Sequence, residues 1–312
     1  MIRSELIATF VLIVDCGSLN AAAGRLRLSR SVVSDRLNAL EADVGTQLIT
    51  RSTHGLSLTR AGEVFLRHAR EIATAMEVAR NDVASAGGEI SGSLRIAAPA
   101  ALTGDWLVPV FNDFLQENPL VSIELSVSDR SVDIVQDGFD LAIRGGNLSD
   151  SALLARKITS SHRVVVCSPD YRDRRGVPSS PADLAGHECI GYRNRRVTQD
   201  WTFRTAKGIR SEWVTGRFQA DDGVTLGRAA VAGAGAGIVL VPTFIVSRDL
   251  LAGRLITVDL GAEVESISVS AVYPAANAGL PRLQALIDHL RKALGDPPSW
   301  DLALADAGLI QL

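Results

Sequence analysis

The chain has 312 residues, 46% hydrophobic and 21% charged, the balance of a folded chain with room for two or three domains. A net charge of -3 excludes a protein that coats nucleic acid through bulk positive charge, and no apolar run reaches bilayer length. Three scattered cysteines, Cys16, Cys167 and Cys189, and five isolated histidines without HExxH or CxxC spacing leave no disulfide framework and no metal site to expect.

Charge is unevenly spread. Residues 1–70 hold nine Arg against six acids, a balance of +3, so the remainder carries -6. The opening stretch, MIRSELIATFVLIVDCGS, is interrupted by Glu5 and Asp15 and lacks a convincing cleavage site. It reads as an amphipathic helix over Ser4–Cys16 rather than a signal peptide, which makes a cytoplasmic location the expectation. Ser18 caps a short alanine-rich helix, Asn20–Leu26; Ser29 caps a second, which Gly45 ends. Val33, Leu37, Leu40 and Val44 form its buried stripe. Its front and opposite face carry Ser29, Arg30, Ser31, Ser34, Asp35, Arg36 and Asn38, side chains suited to base edges and phosphates in a major groove. Two β-like runs, Gln47–Thr50 and Leu56–Leu58, make a hairpin that places Arg51 and His54 where a wing meets the phosphate backbone. Residues 1–59 are thus expected to form a winged helix-turn-helix.

Thr59 opens a long helix from Arg60 to about Ala86. Along it Phe65, Ala69, Ile72, Met76, Ala79 and Val83 follow at heptad spacing, which predicts dimerisation through a partner helix. The helix occupies 60–87 and a glycine-rich hinge follows at 88–92.

The ordered string AAAGRLRLSRSVVSDRLNALEADVG, TQLITRS and LSLTRAGEVFL, then the long helix and hinge, resembles the LysR-type transcriptional regulators over nearly the whole chain. Members of that family usually carry glutamine after the Ser29 equivalent and basic or amide residues near 35 and 38. Here Arg30, Asp35 and Asn38 stand there, and His54 takes a wing position often held by arginine.

From Ser93 strands and helices alternate, the mark of an α/β sheet. The expected order is strand LRIAAP, a helix with Trp106, Leu107, Val110, Phe111 and Phe114, strand SIELSV, helix SVDIVQDG and strand DLAIR. RVVVCSP, ECIGY, a strand pair near WTFR and GRFQAD, helix Asp222–Ala232 and strand GIVLVP follow. Strand ISVSAVYP and helix PRLQALIDHLRKAL close the series. The resemblance implies a two-lobed, periplasmic-binding-protein-like effector domain over 93–295. Lobe one is expected at 93–160 and 267–295 and lobe two at 163–265, with a tail at 296–312.

Ligands of such folds sit at carboxyl ends of strands and amino ends of helices. The expected effector residues are Ala100, Ala101, Leu102, Thr103, Ser128, Arg144, Tyr192, Asn194, Asp222, Gly223 and Val224, with Asp129 and Gly145–Gly146 adjoining. Thr103 and Ser128 are hydroxyls of the kind that hold a carboxylate, and Arg144 either supplies charge or pairs with Asp129 or Asp140. No cofactor is expected beyond a small-molecule co-inducer, a small organic acid being the first guess. Gly233-Ala234-Gly235-Ala236-Gly237 follows a helix and precedes a strand, the reverse of a dinucleotide loop. No GxSxG or other nucleophile motif supports an enzyme.

The expectation is a regulator binding double-stranded DNA at an interrupted palindrome. Family resemblance adds tetramers built from dimers, and RNA polymerase as a partner for an activator; no membrane partner is expected. The rival is a cytoplasmic small-molecule-binding protein or enzyme whose N-terminal helices serve only assembly, separated by salt-dependent DNA affinity. A redox sensor using Cys167 and Cys189 is a third reading; buried, inert thiols are the bland one.

Overall fold

The structure is a computed structural model. It describes every residue except Met1, 53–54, 85–89, 131, 147–152, 194–199, 207 and 233–236, and, beyond these, the side chains of 51, 52, 55, 77, 78 and 80–84.

Helices α1 (Ser4–Cys16), α2 (Leu19–Leu26) and α3 (Arg30–Val44) begin the chain, and the capping residues explain their ends. The Ser18 hydroxyl accepts from the Ala21 amide and Ser29 from Val32, while Gly17 and Gly45 close α1 and α3 in the left-handed region. Strands β1 (Ile49–Ser52) and β2 (Gly55–Leu58) pair antiparallel, the first of them two residues later than the sequence suggested. Helix α4 (Arg60–Ala84) follows. Leu6, Phe10, Ile13, Ala22, Val33, Leu37, Leu40 and Leu66 share one core, and the rings of Phe10 and Phe65 meet edge-on at 5.4 Å. The seam expected along α4 divides. Phe65 and Ala69 pack on this core, whereas Ile72, Met76 and Ala79 face outward, and the Val83 side chain lies outside the described residues.

Lobe one is built on β3 (Gly92–Ala98), whose chain runs on through α5 (Ala100–Leu102), a π turn over Thr103–Leu107, and α6 (Val108–Glu117). Pro109 has no amide to give the preceding turn, and the π turn lies just ahead of it. Strands β4 (Val121–Val127), β5 (Leu141–Gly145) and β6 (Leu153–Ser161) then lead into lobe two. There follow β7 (Arg163–Cys167), α7 (Pro169–Arg175), β8 (Gly191–Tyr192), β9 (Asp200–Thr205), β10 (Gly208–Trp213) and β11 (Gln219–Ala220). Helix α8 (Gly223–Ala232), β12 (Val239–Pro242), α9 (Thr243–Leu251), β13 (Ile256–Thr257) and β14 (Glu263–Val264) complete it. The chain returns through β15 (Ile267–Pro274), α10 (Pro281–Leu294) and α11 (Ser299–Asp306).

The lobe-one sheet has the order β4-β3-β5-β15-β6; β3 is parallel to β4 and β5, and β15 antiparallel to both neighbours. Leu94, Ile96, Phe111, Phe114, Leu286 and Leu290 fill its core. In lobe two, β7 lies between β12 and β13, and a separate sheet has the order β10-β9-β14.

Four details differ from the sequence reading. The helix expected over SVDIVQDG is absent among its described residues: 134–138 are turns, in which the Asp133 carboxylate accepts from the amides of Val135 and Gln136. The partner of WTFR is GIRSEW, whose strand pairs residue for residue from Gly208 with Thr205 to Trp213 with Asp200. Only Gln219 and Ala220 of GRFQAD are strand, and they pair with β8. Helix α9 was not foreseen. The tail, which the sequence left undecided, is helical and docked: Trp300 and Leu304 are buried.

Candidate functional site

Two regions bear on function: the front of α3 with its wing, and the cleft between the lobes. On α3, Ser29, Arg30, Ser31, Asp35 and Asn38 are exposed and Ser34 half-buried. Arg36 departs from expectation. Its guanidinium turns back onto α1, reaching Thr9 Oγ1 at 3.2 Å and Glu5 at 3.6 Å, because position 36 lies on the flank facing α1. It braces the module rather than presenting to DNA. The backbone of Arg51 is in β1, opposite Leu56; its side chain and all of His54 lie outside the described residues. Glu41, not singled out from sequence, fixes the wing to the end of α3: Oε1 accepts from the amides of Leu48 and Ile49 at 2.8 and 3.0 Å. A carboxylate eight residues ahead of a strand is the only sequence signal, and a weak one.

The cleft encloses a cavity of about 190 Å³. Ala101, Tyr192 and Gly223 line it as expected, joined by Asp129, Arg163, Asp200, Trp201, Phe244 and Ile245 among others. The remaining expected residues are used otherwise. Leu102 is in the lobe-one core, and Thr103 donates its hydroxyl to the Pro99 carbonyl at 2.8 Å. Ser128 Oγ accepts from the Arg130 amide, and Asp222 Oδ1 from the Thr225 amide. Val224 is exposed, away from the lining. Arg144 donates to the Val132 carbonyl at 2.5 Å, a bond within lobe one that keeps it off the cavity wall. Asn194 lies outside the described residues.

Ala100 contributes through its backbone. Its amide donates to Asp129 Oδ1 at 2.7 Å, while the Gly223 amide, from the other lobe, donates to Oδ2 at 2.9 Å. A Cβ on Gly223 would stand 2.7 Å from Ile245 Cδ1, the tip of a side chain in its own lobe, and 3.3 Å from Ala101 Cβ across the cleft, so a glycine there eases the close approach of the lobes. The lobes also meet where Trp106 Nε1 donates to the Phe244 carbonyl at 3.0 Å and Arg248 pairs with Asp105 at 2.7 Å. Behind this contact Trp300 packs at a tilt against Trp106 and edge-on against Phe244, with ring centroids 4.8 and 6.0 Å away. The fully buried Asp301 carboxylate accepts from the backbone amide of His162, 3.0 Å away, lies 3.0 Å from His162 Nδ1, and takes the Thr243 hydroxyl.

The cysteine readings resolve toward buried thiols. Burial pushes the Cys167 thiol up to about 11 and that of Cys189 up to about 12, far from the thiolate form that oxidants attack. Of the glycine-rich run, Gly237 presses its backbone on the Glu188 carbonyl where any Cβ would clash; 233–236 lie outside the described residues. Among the described residues no helix is long and apolar enough to cross a membrane.

Comparison with known proteins matches both regions. The family described as bacterial regulatory helix-turn-helix protein, lysR family, matches residues 4–63, and the LysR substrate binding domain matches 87–295. The HTH-type transcriptional regulator PtxR of Pseudomonas aeruginosa is 34% identical over 291 residues, 93% of this chain and 92% of its own. The HTH-type transcriptional regulator CrgA of Neisseria meningitidis serogroup C is 31% identical over 297 residues, 94% of this chain and 98% of its own. A solved structure of CrgA from Neisseria meningitidis, described as a LysR-type transcriptional regulator, aligns at a TM-score of 0.60 and 30% identity, covering 94% of this chain and 99% of that one. With a helix-turn-helix module, a two-lobed substrate-binding domain and full-length relatives of the same build, the chain belongs to the LysR family of transcriptional regulators.

Proposed function

We propose that the chain binds a specific operator through the front of α3 and is controlled by a small molecule held between its lobes. The observation that carries this reading is the pairing of an exposed polar face, Arg30, Ser31, Asp35 and Asn38, with a wing that Glu41 fixes beside it. Arg and Asn present donors that discriminate base edges, and a wing places further groups on flanking phosphates. The outward stripe of Ile72, Met76 and Ala79 on α4 supports pairing of two chains, so the operator is an interrupted palindrome. Tetramers of such dimers, contact with RNA polymerase at activated promoters and a cytoplasmic location complete the reading. Ligand acts by binding one arrangement of the DNA-binding pairs more tightly than another. A nuclease footprint on the DNA upstream of the chain's own gene, with nonspecific competitor, tests it. A protected two-fold-related site supports the proposal. Failure to select any sequence from random DNA, with the protein folded and dimeric, would sink it.

A further inference from the structure

We infer that Asp129 is a built-in anion latch that excludes carboxylate ligands from the cleft, so that the effector is an uncharged, apolar-bodied molecule. This rests on the cleft being the effector site, as proposed above, and replaces the organic acid first guessed with a different chemical class.

Two backbone amides from opposite lobes point at one position: Ala100 N–H from lobe one and Gly223 N–H from lobe two. Convergent amides of this kind are ordinarily free to hold an incoming anion. Here both are already taken, at 2.7 and 2.9 Å, by the two oxygens of a single carboxylate that belongs to the chain. Asp129 therefore does two jobs at once. It satisfies groups that a ligand carboxylate would otherwise satisfy, and it ties lobe one to the start of α8 in lobe two. A second carboxylate arriving beside it would find both of these amides occupied and a like charge within a few ångströms.

The rest of the wall points the same way. Among the described residues its charged side chains are Arg163, Asp129 and Asp200, one cation against two carboxylates. The hydroxyls that sequence offered for an acid stand off the wall: Thr103 donates to the Pro99 carbonyl, and Ser128 Oγ accepts from the Arg130 amide outside the lining. Most of the remaining surface is apolar or aromatic, including Trp201, Phe244, Ile245 and Leu226. A neutral ring or short aliphatic body gains by leaving water for such a wall, whereas a carboxylate gives up its hydration beside two carboxylates of the chain.

The test uses matched acid and amide probes, benzoate with benzamide and salicylate with salicylamide, on the full-length chain. Saturation-transfer NMR detects weak binding, and titration ranks it. The proteins are wild type, Asp129→Ala and Asp129→Asn, each checked for fold by circular dichroism; Asp129→Asn keeps an acceptor if the alanine variant does not fold. Wild type is expected to bind the amides and to discriminate against the acids. The Asp129 variants should bind the acids at least about tenfold more tightly than wild type does, because a charge-assisted acceptor is again wanted at the two amides. Acid binding that is equal in wild type and variants overturns the latch while leaving the cleft as the ligand site. An Ala101→Phe variant, which fills the cavity, should abolish every signal. If signals survive it, or if no probe binds any of the proteins, the cleft reading itself fails and the latch with it.

Discussion

Arg30 and Arg36 stand six residues apart on one helix and do different work. Arg30 is exposed at the front of α3, while Arg36 is braced against Thr9 and Glu5. Arg30→Ala should weaken operator binding by about 10- to 100-fold at fixed salt, roughly 1–3 kcal/mol, with an unchanged melting temperature. Arg36→Ala should instead lower the melting temperature, and weaken DNA binding only in step with lost structure. Band shifts beside thermal melts separate the two, and equal affinities for wild type and Arg30→Ala would remove Arg30 from the interface. At Cys167 and Cys189 the sign of the pH effect follows from burial. Both thiols titrate well above their ordinary value of 9.0, at about 11 and about 12. As pH climbs past the ordinary value, the unfolded chain loses thiol protons that the folded chain keeps, so stability falls through that window and is unaffected below it. Urea midpoints measured at about pH 8 and about pH 10 should separate more widely for wild type than for a Cys167→Ala, Cys189→Ala variant.

Among elements, α11 has the largest consequence for its length. Trp300 fills the space behind Trp106 and Phe244, and Asp301 gathers donors from His162 at the lobe crossing and Thr243 at the start of α9. Trp300→Ala should destabilise the effector domain by about 3–5 kcal/mol, the cost of a large aromatic removed from a closed core. A loss below about 1 kcal/mol in urea denaturation would show that the helix is only loosely seated. Nothing in DPPSWDLALADAGLIQL identifies this seat, since its partners lie far away in sequence. Other elements were legible where local chemistry decides them. Ser18, Ser29 and Gly45 set the bounds of α2 and α3 through groups within the same segment, and α10 and β15 follow their own periodicity. Asp133 defeated periodicity by capping a turn, and α9 was hidden because β12 runs into it through Pro242 with no polar cap. The cleft was partly legible for the same reason. Strand ends pointed to Ala101 and Tyr192 and a helix start to Gly223, but a hydroxyl that faces a ligand and one that caps its own chain look identical in a sequence.

At the scale of the whole molecule, α4 joins the two halves by different contacts along its length. Near its start it belongs to the DNA-binding core, and at Arg70 it clasps lobe one: the guanidinium donates to the carbonyls of Val135 and Gln136 and meets Asp15 at 2.5 Å. Beyond Arg70, Ile72 and Met76 are 42% and 49% exposed, large apolar groups for which this chain offers no cover among the described residues. Ile72→Glu with Met76→Glu should shift the protein from dimer to monomer in analytical ultracentrifugation and reduce operator affinity accordingly; an unchanged mass would move the dimer interface elsewhere. The sheet order of lobe one reaches beyond the finished fold. Strand β15 lies between β5 and β6, yet the ribosome delivers it only after all of lobe two has been made. A nascent chain halted before Ile267 can therefore close its DNA-binding module and most of lobe two, while the first three strands of lobe one wait with an unpaired edge on β5. Limited proteolysis of such stalled chains should cut in lobe one and spare the module ahead of it. During that interval the DNA-binding module is folded while the cleft between the lobes is still unmade.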